Sequence, residues 1–268
     1  WSPDGQHLGF FHQGRLRRME ISSGRTQTIG GDGAFIARGA DWTDDGHILF
    51  APNSNTGIWI VSADGGEPRQ ITQLDPDIVD ASHRWPVALP DGDSFLYLWW
   101  SNDLASLDQH GGLYLASISG AHPPRRIVPD ASSAAYADTG HLLVVQENNL
   151  VALPFDAARG EVTGTGIVIT SGVLMNRNNG QAAFSVSEEG TLVYAPDAGS
   201  MPEATLQWTD RSGVRTATTI EPMQMFPRLR LSPDARKAVV SLPGTTAEPS
   251  IWVLDLARGA RTRLSPPA

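Results

Sequence analysis

The 268-residue sequence contains no cysteine, which excludes disulfide bonds and thiolate-bound metal centres. It also has no apolar run approaching about 18 residues, so we expect no part of this segment to insert into a membrane. The chain starts at Trp1 without an initiator methionine or the apolar core of a signal peptide. We therefore expect it to be a piece of a longer protein.

Positive charge is scarce: 20 Lys and Arg residues face 29 Asp and Glu residues, for a net charge of −9. Nucleic-acid binding depends on clustered basic residues, so we expect no nucleic-acid partner. The sequence lacks the Gly-x-Ser-x-Gly elbow, the His-Glu-x-x-His zinc motif and the His-Arg-Asp and Asp-Phe-Gly motifs of kinases. "GTGTG" near Gly164 lacks the spacing of a phosphate cradle. We expect no bound cofactor, and we expect that the chain itself is not an enzyme.

Turn-forming residues, in contrast, are abundant, with 27 Gly and 19 Pro. A Ser-Pro-Asp-Gly turn near the start recurs in related form about every 40 to 50 residues. The six turns lie at 2–5, 43–46, 89–92, 137–140, 187–190 and 232–235. Pro and Asp favour the central positions of such a turn, and Gly takes the strained position that follows. Each turn precedes a short apolar strand, a third strand and a more polar fourth one. A strand-only repeat of this length predicts the blade of a β-propeller.

The repeats predict an all-β fold, a single β-propeller domain of six four-stranded blades. The repeat units are approximately 1–33, 34–78, 79–130, 131–174, 175–223 and 224–268. Only Trp1 remains of the innermost strand of the first unit, and no other segment of the chain can replace that strand. We therefore expect the first blade to lack its innermost strand and the chain to be a fragment cut inside a blade.

Several segments carry a resemblance to known propellers. "WSPDG", "LPDG" and "LSPDA", each followed by an apolar strand, and "IWVLDL" resemble the TolB-type repeat, a relative of WD-repeat propellers. "ILFAPNSNTGIWIVSADGGEP", "SHRWPVALPDG" and "AFSVSEEGTLVYAP" resemble the C-terminal propeller region of many bacterial Ser/Thr protein kinases. This resemblance implies a non-catalytic protein- or ligand-binding or sensing module of a larger protein, a bacterial Ser/Thr kinase, on the extracytoplasmic or periplasmic side of a bacterial membrane. Two alternatives stay open: the substrate-gating propeller of a prolyl-oligopeptidase-like hydrolase, and a stand-alone propeller enzyme of the lactonase or lyase class.

An alignment of the inner strands on their turns predicts a binding site. Arg38 and Arg84 fall at equivalent positions, and the loops before inner strands surround one mouth of the central channel of a propeller. The candidate binding residues are Arg38, His83, Arg84, Asn176, Arg177, Asn178, Arg228 and Arg230. Because Arg forms charge-assisted, forked hydrogen bonds with anions, we expect a protein, a peptide or a small anionic ligand as the partner. The alternative is that these Arg residues pair with Asp41 or with backbone carbonyls and close the channel.

A metal site is the weaker interpretation of one inter-blade loop. Asp75, Asp77, Asp80 and His83 could supply oxygen and imidazole ligands. No Gly pivot or bidentate Glu completes a calcium loop, so we favour a polar loop whose aspartates cap turns. The insertions at 101–112 and 171–180 are predicted loops that could contact a partner. We expect the Trp residues at strand positions to belong to the core between blades.

Overall fold

The computed structural model describes residues 1–31, 35–78, 80–187, 190–197, 206–209, 214–217, 220, 229–242 and 250–264. The chain divides into two compact units. Unit 1 comprises Trp1–Ala134, Pro154–Gly164 and Asn178–Gly180. Unit 2 comprises Ala135–Leu153, Thr165–Arg177 and Gln181–Ala268.

The predicted fold class is confirmed: small antiparallel sheets follow one another as the six blades of a β-propeller. In unit 1 the first blade has the strands β1 (His7–His12), β2 (Arg15–Glu20) and β3 (Thr26–Gly30). The second blade has β4 (Ala40–Trp42), β5 (His47–Phe50), β6 (Trp59–Ser62) and β7 (Arg69–Gln70). The third has β8 (Ala81–Ala88), β9 (Ser94–Ser101), α1 (Leu104–His110), β10 (Gly112–Ser117) and β11 (Arg125–Pro129). The described part of the first blade therefore has three strands, one fewer than its neighbours.

The fourth blade has β12 (Ala135–Ala137), β13 (His141–Gln146) and β14 (Asn149–Asp156), with β15 (Glu161–Val162) and β16 (Ile167–Ser171) both paired to β14. In unit 2 a short hairpin of β17 (Met175–Asn176) and β18 (Gln181–Ala182) follows. The fifth blade has β19 (Phe184–Val186), β20 (Leu192–Tyr194), β21 (Gln207–Thr209) and β22 (Arg215–Ala217). The sixth has β23 (Leu229–Leu231), β24 (Lys237–Leu242), β25 (Ser250–Asp255) and β26 (Arg261–Arg263).

Both faces of the blades are buried within each unit. In β5, Ile48 and Phe50 join one apolar cluster, whereas the intervening Leu49 joins another, because alternate side chains of a strand point to opposite faces. This explains the continuous apolar sequence of β5, and each such side chain contributes about 1.5–3 kcal/mol when fully buried. Trp42 and Trp59 pack against the cluster that contains Ile48 and Phe50, in agreement with the core position expected for tryptophans of the strands.

In three of the recurring turns, the Ser or Thr that opens the turn makes two side-chain hydrogen bonds, and we call this arrangement the turn lock. In unit 1 the Thr43 hydroxyl donates to Asp45 Oδ1 at 2.5 Å and accepts the backbone N–H of His47 at 3.0 Å. The same arrangement joins Ser2, Asp4 and His7 in the first blade. In unit 2 it joins Ser232, Asp234 and Lys237. The Ser or Thr that opens the turn therefore fixes both the turn and the start of the next strand.

One expectation about the blades is wrong. The repeat was expected to contain no helix, but the 101–112 insertion forms α1 between β9 and β10. Asp103 caps this helix, since its carboxylate accepts the backbone N–H of Ser106 at 2.8 Å. The helix has only seven residues, which is too short for a periodic apolar pattern to predict it from the sequence. None of the described helical residues forms a span long and apolar enough to cross a membrane.

Candidate functional site

Arg84 is the largest of the fully buried side chains among the described residues, at 2% exposure. Its Nε donates to Ser82 Oγ at 2.6 Å, and its guanidinium carbon lies 5.8 Å from the centroid of the Trp100 ring. Its Nη1 is buried and has no hydrogen-bond partner. No carboxylate of the described residues forms an ion pair with Arg84. This strand thus holds a guanidinium in the interior to which no described residue supplies a counter-charge.

The strand geometry explains how Arg84 is held. Ser82 and Arg84 lie two residues apart on β8 and therefore share a face of the sheet. Trp100 is the register partner of Ser82 on β9, diagonal to Arg84. The register shifts between Arg84 and Val87, where Trp85 has a φ of +51°. Such bulges re-aim side chains and are frequent next to binding sites.

Arg38 lies beside Arg84. The backbone carbonyl of Arg38 accepts the N–H of Trp85 at 2.7 Å, which brings the two chain segments together. Arg38 Nη1 donates to the carbonyls of Ile36 and Ala37, at 3.0 and 3.2 Å. Its Nε is buried without a partner. We call Arg38 and Arg84 the arginine pair.

Burial lowers the pKa of both members of the arginine pair. The pKa of Arg84 falls to about 10, first because of burial and then because of the nearby charge of Arg38. Burial alone lowers the pKa of Arg38. A pKa of about 10 still leaves Arg84 protonated at neutral pH, so its positive charge lies near that of Arg38.

The alternative reading, in which these Arg residues are structural, fits Arg38 in part. Arg38 does bind neighbouring carbonyls, as that alternative proposed. Asp41, the other suggested partner, accepts the backbone N–H of Ala88 at 2.9 Å. Neither Arg38 nor Arg84 forms an ion pair with Asp41. The charge of Arg84 is therefore uncompensated among the described residues.

The loop segment Asn178–Gly180 lies against the same part of unit 1. The indole N–H of Trp85 donates to the Asn179 carbonyl at 2.8 Å, and the Ser133 N–H donates to the Gly180 carbonyl at 2.7 Å. A Cβ on Gly180 would lie 2.8 Å from the Trp100 ring. The predicted site residue Asn178 is thus exposed on a loop that is fixed next to the arginine pair.

His83 does not join Arg84, because adjacent residues of a strand point to opposite faces. It is 4% exposed, its ring lies 4.4 Å from that of Tyr97, and its Nδ1 is 2.7 Å from Thr72 Oγ1. Since Thr72 Oγ1 already accepts the Ile58 N–H, its proton is free to point at Nδ1 of His83. Burial lowers the pKa of His83 to about 3. The imidazole is therefore neutral at physiological pH and packs in the core.

The remaining predicted residues lie in unit 2 or outside the described residues. Asn176, Arg177 and Arg230 belong to unit 2. Asn176 is half-buried in β17, Arg177 is exposed, and Arg230 donates to the Leu229 carbonyl at 3.1 Å. Arg228 lies outside the described residues. The structure thus groups Arg38 and Arg84 with the loop of Asn178.

The metal candidate is not assembled. Among the residues that the structure describes, no three His, Asp or Glu side chains are grouped so as to hold a metal ion. Asp75, Asp77 and Asp80 are exposed, and Asp75 Oδ1 accepts the Asp77 N–H at 3.0 Å as a turn cap. His83 faces Thr72 in the core. The favoured reading of this loop, aspartates that cap turns, describes it better.

A cleft of about 310 Å³ in unit 1 is lined by residues from the segments 91–94, 115–117, 122–125 and 157–160. Its charged side chains already have partners. Arg125 Nη2 donates to the Gly160 carbonyl at 2.6 Å, and Asp93 accepts both the N–H and the hydroxyl of Ser119 at 2.8 Å. We therefore regard this cleft as a packing feature and the arginine pair as the better candidate site.

Ser82 and Trp100 contact Arg84 but were not among the site residues predicted from the sequence. Ser82 could have been predicted, because it lies two residues from Arg84 on a strand and therefore on the same face of the sheet. The signal for Trp100 was the hairpin register, since counting back from the 89–92 turn places Trp100 near Ser82. The bulge at Trp85, which inserts an extra residue into that count, carries no clear signature in the sequence.

Comparisons with solved structures identify the same fold in several proteins. The chain aligns with TolB from Acinetobacter baumannii at a TM-score of 0.71 and 13% identity, covering 97% of this chain and 63% of that one. The gluconolactonase XC5397 from Xanthomonas campestris aligns at 0.65 and 14% identity, covering 96% and 84%. The calcium-binding protein regucalcin from Agrobacterium tumefaciens aligns at 0.64 and 18% identity, covering 92% and 82%. The chain therefore has a TolB-like β-propeller fold and spans 63% of the TolB chain.

No protein-family model and no curated protein matches the chain. The structural comparisons correct one expectation, that the chain is not an enzyme. A gluconolactonase shares the fold over 96% of this chain, so a propeller of this kind supports catalysis. The expectation failed because it relied on contiguous motifs, whereas catalytic groups can come from separate strands of a fold. The association with Ser/Thr kinases is not shown by any of these comparisons.

Proposed function

We propose that this chain binds an anionic ligand at the arginine pair. The observation that carries the proposal is the buried guanidinium of Arg84, whose Nη1 has no partner and which no described carboxylate neutralises. Leaving a buried charge unpaired is strongly destabilising, by several kcal/mol. An anion would supply both the missing charge and the missing hydrogen-bond acceptor.

The hydrogen bonds that hold each arginine side chain in place support anion binding. Arg84 uses its Nε to bind Ser82, and Arg38 uses its Nη1 to bind backbone carbonyls. Each side chain is thereby held in place while other N–H groups stay unpartnered. Donors that are held before the ligand arrives lose less conformational entropy on binding. The partner classes that we expect from the sequence (a protein, a peptide or a small molecule with an anionic group) all fit this arrangement.

The wider biological setting is part of the same proposal. The resemblance of "SHRWPVALPDG" and its companion segments to kinase-associated propellers supports a sensing role on the extracytoplasmic side of a bacterial membrane. "SHRWPVALPDG" contains Arg84 itself. The anionic ligand would then be the signal that the propeller detects.

Titration with potassium phosphate and with potassium acetate at constant ionic strength tests the binding proposal. The wild type should bind at least one of these anions and gain thermal stability on binding. Arg84→Met should lose the binding, and without anion it should be as stable as the wild type or more so, because an unpaired buried charge is removed. Arg69→Met, which removes an exposed arginine of β7, is the control. Equal anion binding by Arg84→Met and Arg69→Met, or no binding by the wild type, would contradict the proposal.

A further inference from the structure

We infer that the group bound by the arginine pair is a dianionic phosphoryl group, as in a small phosphate monoester. This inference rests on the proposed function and narrows its ligand class. It follows from three properties of the pair: its charge, its unpartnered donors and its limited access.

The charge of the site favours a dianion. The hydrogen bond from the Trp85 N–H to the Arg38 carbonyl places the backbone of Arg38 against the residue that follows Arg84. No described carboxylate forms an ion pair with either guanidinium. A monoanion such as a carboxylate would neutralise one of the two charges and leave the other without a counter-charge from the described residues. A phosphate monoester carries close to two negative charges above its second pKa of about 6, so it can neutralise both.

The unpartnered atoms of the site are all donors. They are Arg84 Nη1, Arg38 Nε and Trp100 Nε1, each of which is buried without a hydrogen-bond partner. Arg and Trp side chains have no acceptor to offer, so the bound group must consist of acceptors alone. A carboxylate presents two oxygens, whereas a phosphoryl group presents three strong acceptor oxygens. Of the side chains that carry these donors, Arg84 and Trp100 are neighbours, with the guanidinium carbon 5.8 Å from the centroid of the Trp100 ring. A phosphoryl group offers as many oxygens as there are unpartnered donors.

Access to the pair limits the size of the bound group. Arg84 is 2% exposed, whereas Arg38 is half-buried and the neighbouring Ile36 is 64% exposed. Only a small terminal group can therefore reach Arg84. The rest of the ligand would lie beside Arg38 and the exposed apolar surface of Ile36.

Two probes that differ by one charge test the inference. Methyl phosphate is a dianion at pH 8, and dimethyl phosphate is a monoanion of the same tetrahedral shape. We expect isothermal titration at pH 8 to show at least tenfold tighter binding of methyl phosphate to the wild type. Arg38→Met should reduce this preference to near unity with little change for dimethyl phosphate. Arg38→Lys, which keeps the charge, should retain most of the preference for methyl phosphate. Arg84→Met should bind neither methyl phosphate nor dimethyl phosphate.

The outcomes separate this inference from the proposed function. Equal affinity of the wild type for the two probes would overturn the dianion inference and leave anion binding intact. Tighter binding of malonate than of methyl phosphate would also overturn it, in favour of a dicarboxylate. Failure of the wild type to bind methyl phosphate, dimethyl phosphate and acetate would overturn the proposed function itself. The Arg69→Met control and a thermal unfolding curve for each variant show that any loss is specific to the pair and that the variant is folded.

Discussion

The indole N–H of Trp85 donates to the backbone carbonyl of Asn179 at 2.8 Å. This bond fastens a loop that is distant in sequence to the residue that follows Arg84 on β8. Trp85 itself has a φ of +51°, a conformation that bulky residues rarely adopt. Such strain persists only where surrounding contacts over-determine it, and it is concentrated at functional sites. The hydrogen bond to Asn179 and the unusual backbone of Trp85 thus both lie next to the arginine pair.

Replacement of Trp85 by Phe should weaken this fastening. Trp85→Phe removes the donor and leaves the Asn179 carbonyl without that bond, which should lower the free energy of unfolding by about 1 kcal/mol beyond the loss of ring volume. Trp59→Phe is the matched control, since Trp59 Nε1 is buried without a partner and its loss breaks no hydrogen bond. Urea denaturation measures both variants. An equal loss in the two would show that the bond to Asn179 contributes nothing.

Gly39 permits the close approach of Arg38 to Trp85. Its φ is +99°, and a Cβ at this position would lie 2.6 Å from Trp85 Cε3 and 2.9 Å from Trp85 Cα. Gly39→Ala should therefore destabilise the protein by more than the 1–3 kcal/mol typical of backbone strain alone. Gly46→Ala provides the comparison, because Gly46 has a φ of +83° and open space around its Cβ position. A similar fall in Tm for both variants would contradict the proposed contact.

His83 should make the stability depend on acid pH. Burial lowers the pKa of His83 from 6.5 to about 3 in the folded state. Below pH 6.5 the unfolded chain therefore binds a proton that the folded chain does not bind. The contribution of His83 is constant above pH 6.5, and it falls by up to about 1.4 kcal/mol per unit as the pH drops towards 3. His83→Gln should remove this component, as urea denaturation at pH 8 and pH 5 can show; parallel losses in variant and wild type would refute it.

The turn lock at Thr43 should be separable into its two hydrogen bonds. Thr43→Val keeps the shape of the side chain but removes the acceptor of the His47 N–H, which should cost about 1–2 kcal/mol. It should also raise the pKa of Asp45, because the hydrogen bond from Thr43 is the main cause that lowers it. Thr43→Ser should preserve both properties. A carboxyl NMR titration gives the pKa, and an unshifted Asp45 in Thr43→Val would disprove the lock.

Much of the architecture could be predicted because its determinants are local in the sequence. The turn at 43–46 carries Asp and Gly at the positions that a hairpin turn requires, and the apolar run 48–50 follows at once as β5. Repetition of this unit defines the blade. Arg38 and Arg84 could be selected from the repeat because they stand at the same distance before their turns. The structure places Arg84 within β8 and Arg38 just before β4.

The details of the site could not be predicted, because they depend on register and on contacts between distant segments. The extra residue of the bulge changes the count along β8, and no propensity rule marks it. The partnership of Trp85 with Asn179 joins segments that only the folded chain brings together. The orientation of His83 could have been predicted from the sequence, because adjacent residues of a strand point to opposite faces of the sheet and His83 directly precedes Arg84. The helix α1 was missed because a single short helix gives little periodic signal.

The position of the arginine pair within an acidic chain has a kinetic consequence. The net charge of −9 gives the surroundings of the protein a negative potential, whereas Arg84 is buried and Arg38 is half-buried. An approaching anion is therefore repelled at long range and attracted only on entry. Added salt screens the long-range repulsion within about 10 Å at 0.1 M but has little effect on buried charges. Association should consequently become faster as ionic strength rises, the reverse of electrostatic steering, while the dissociation rate stays nearly constant.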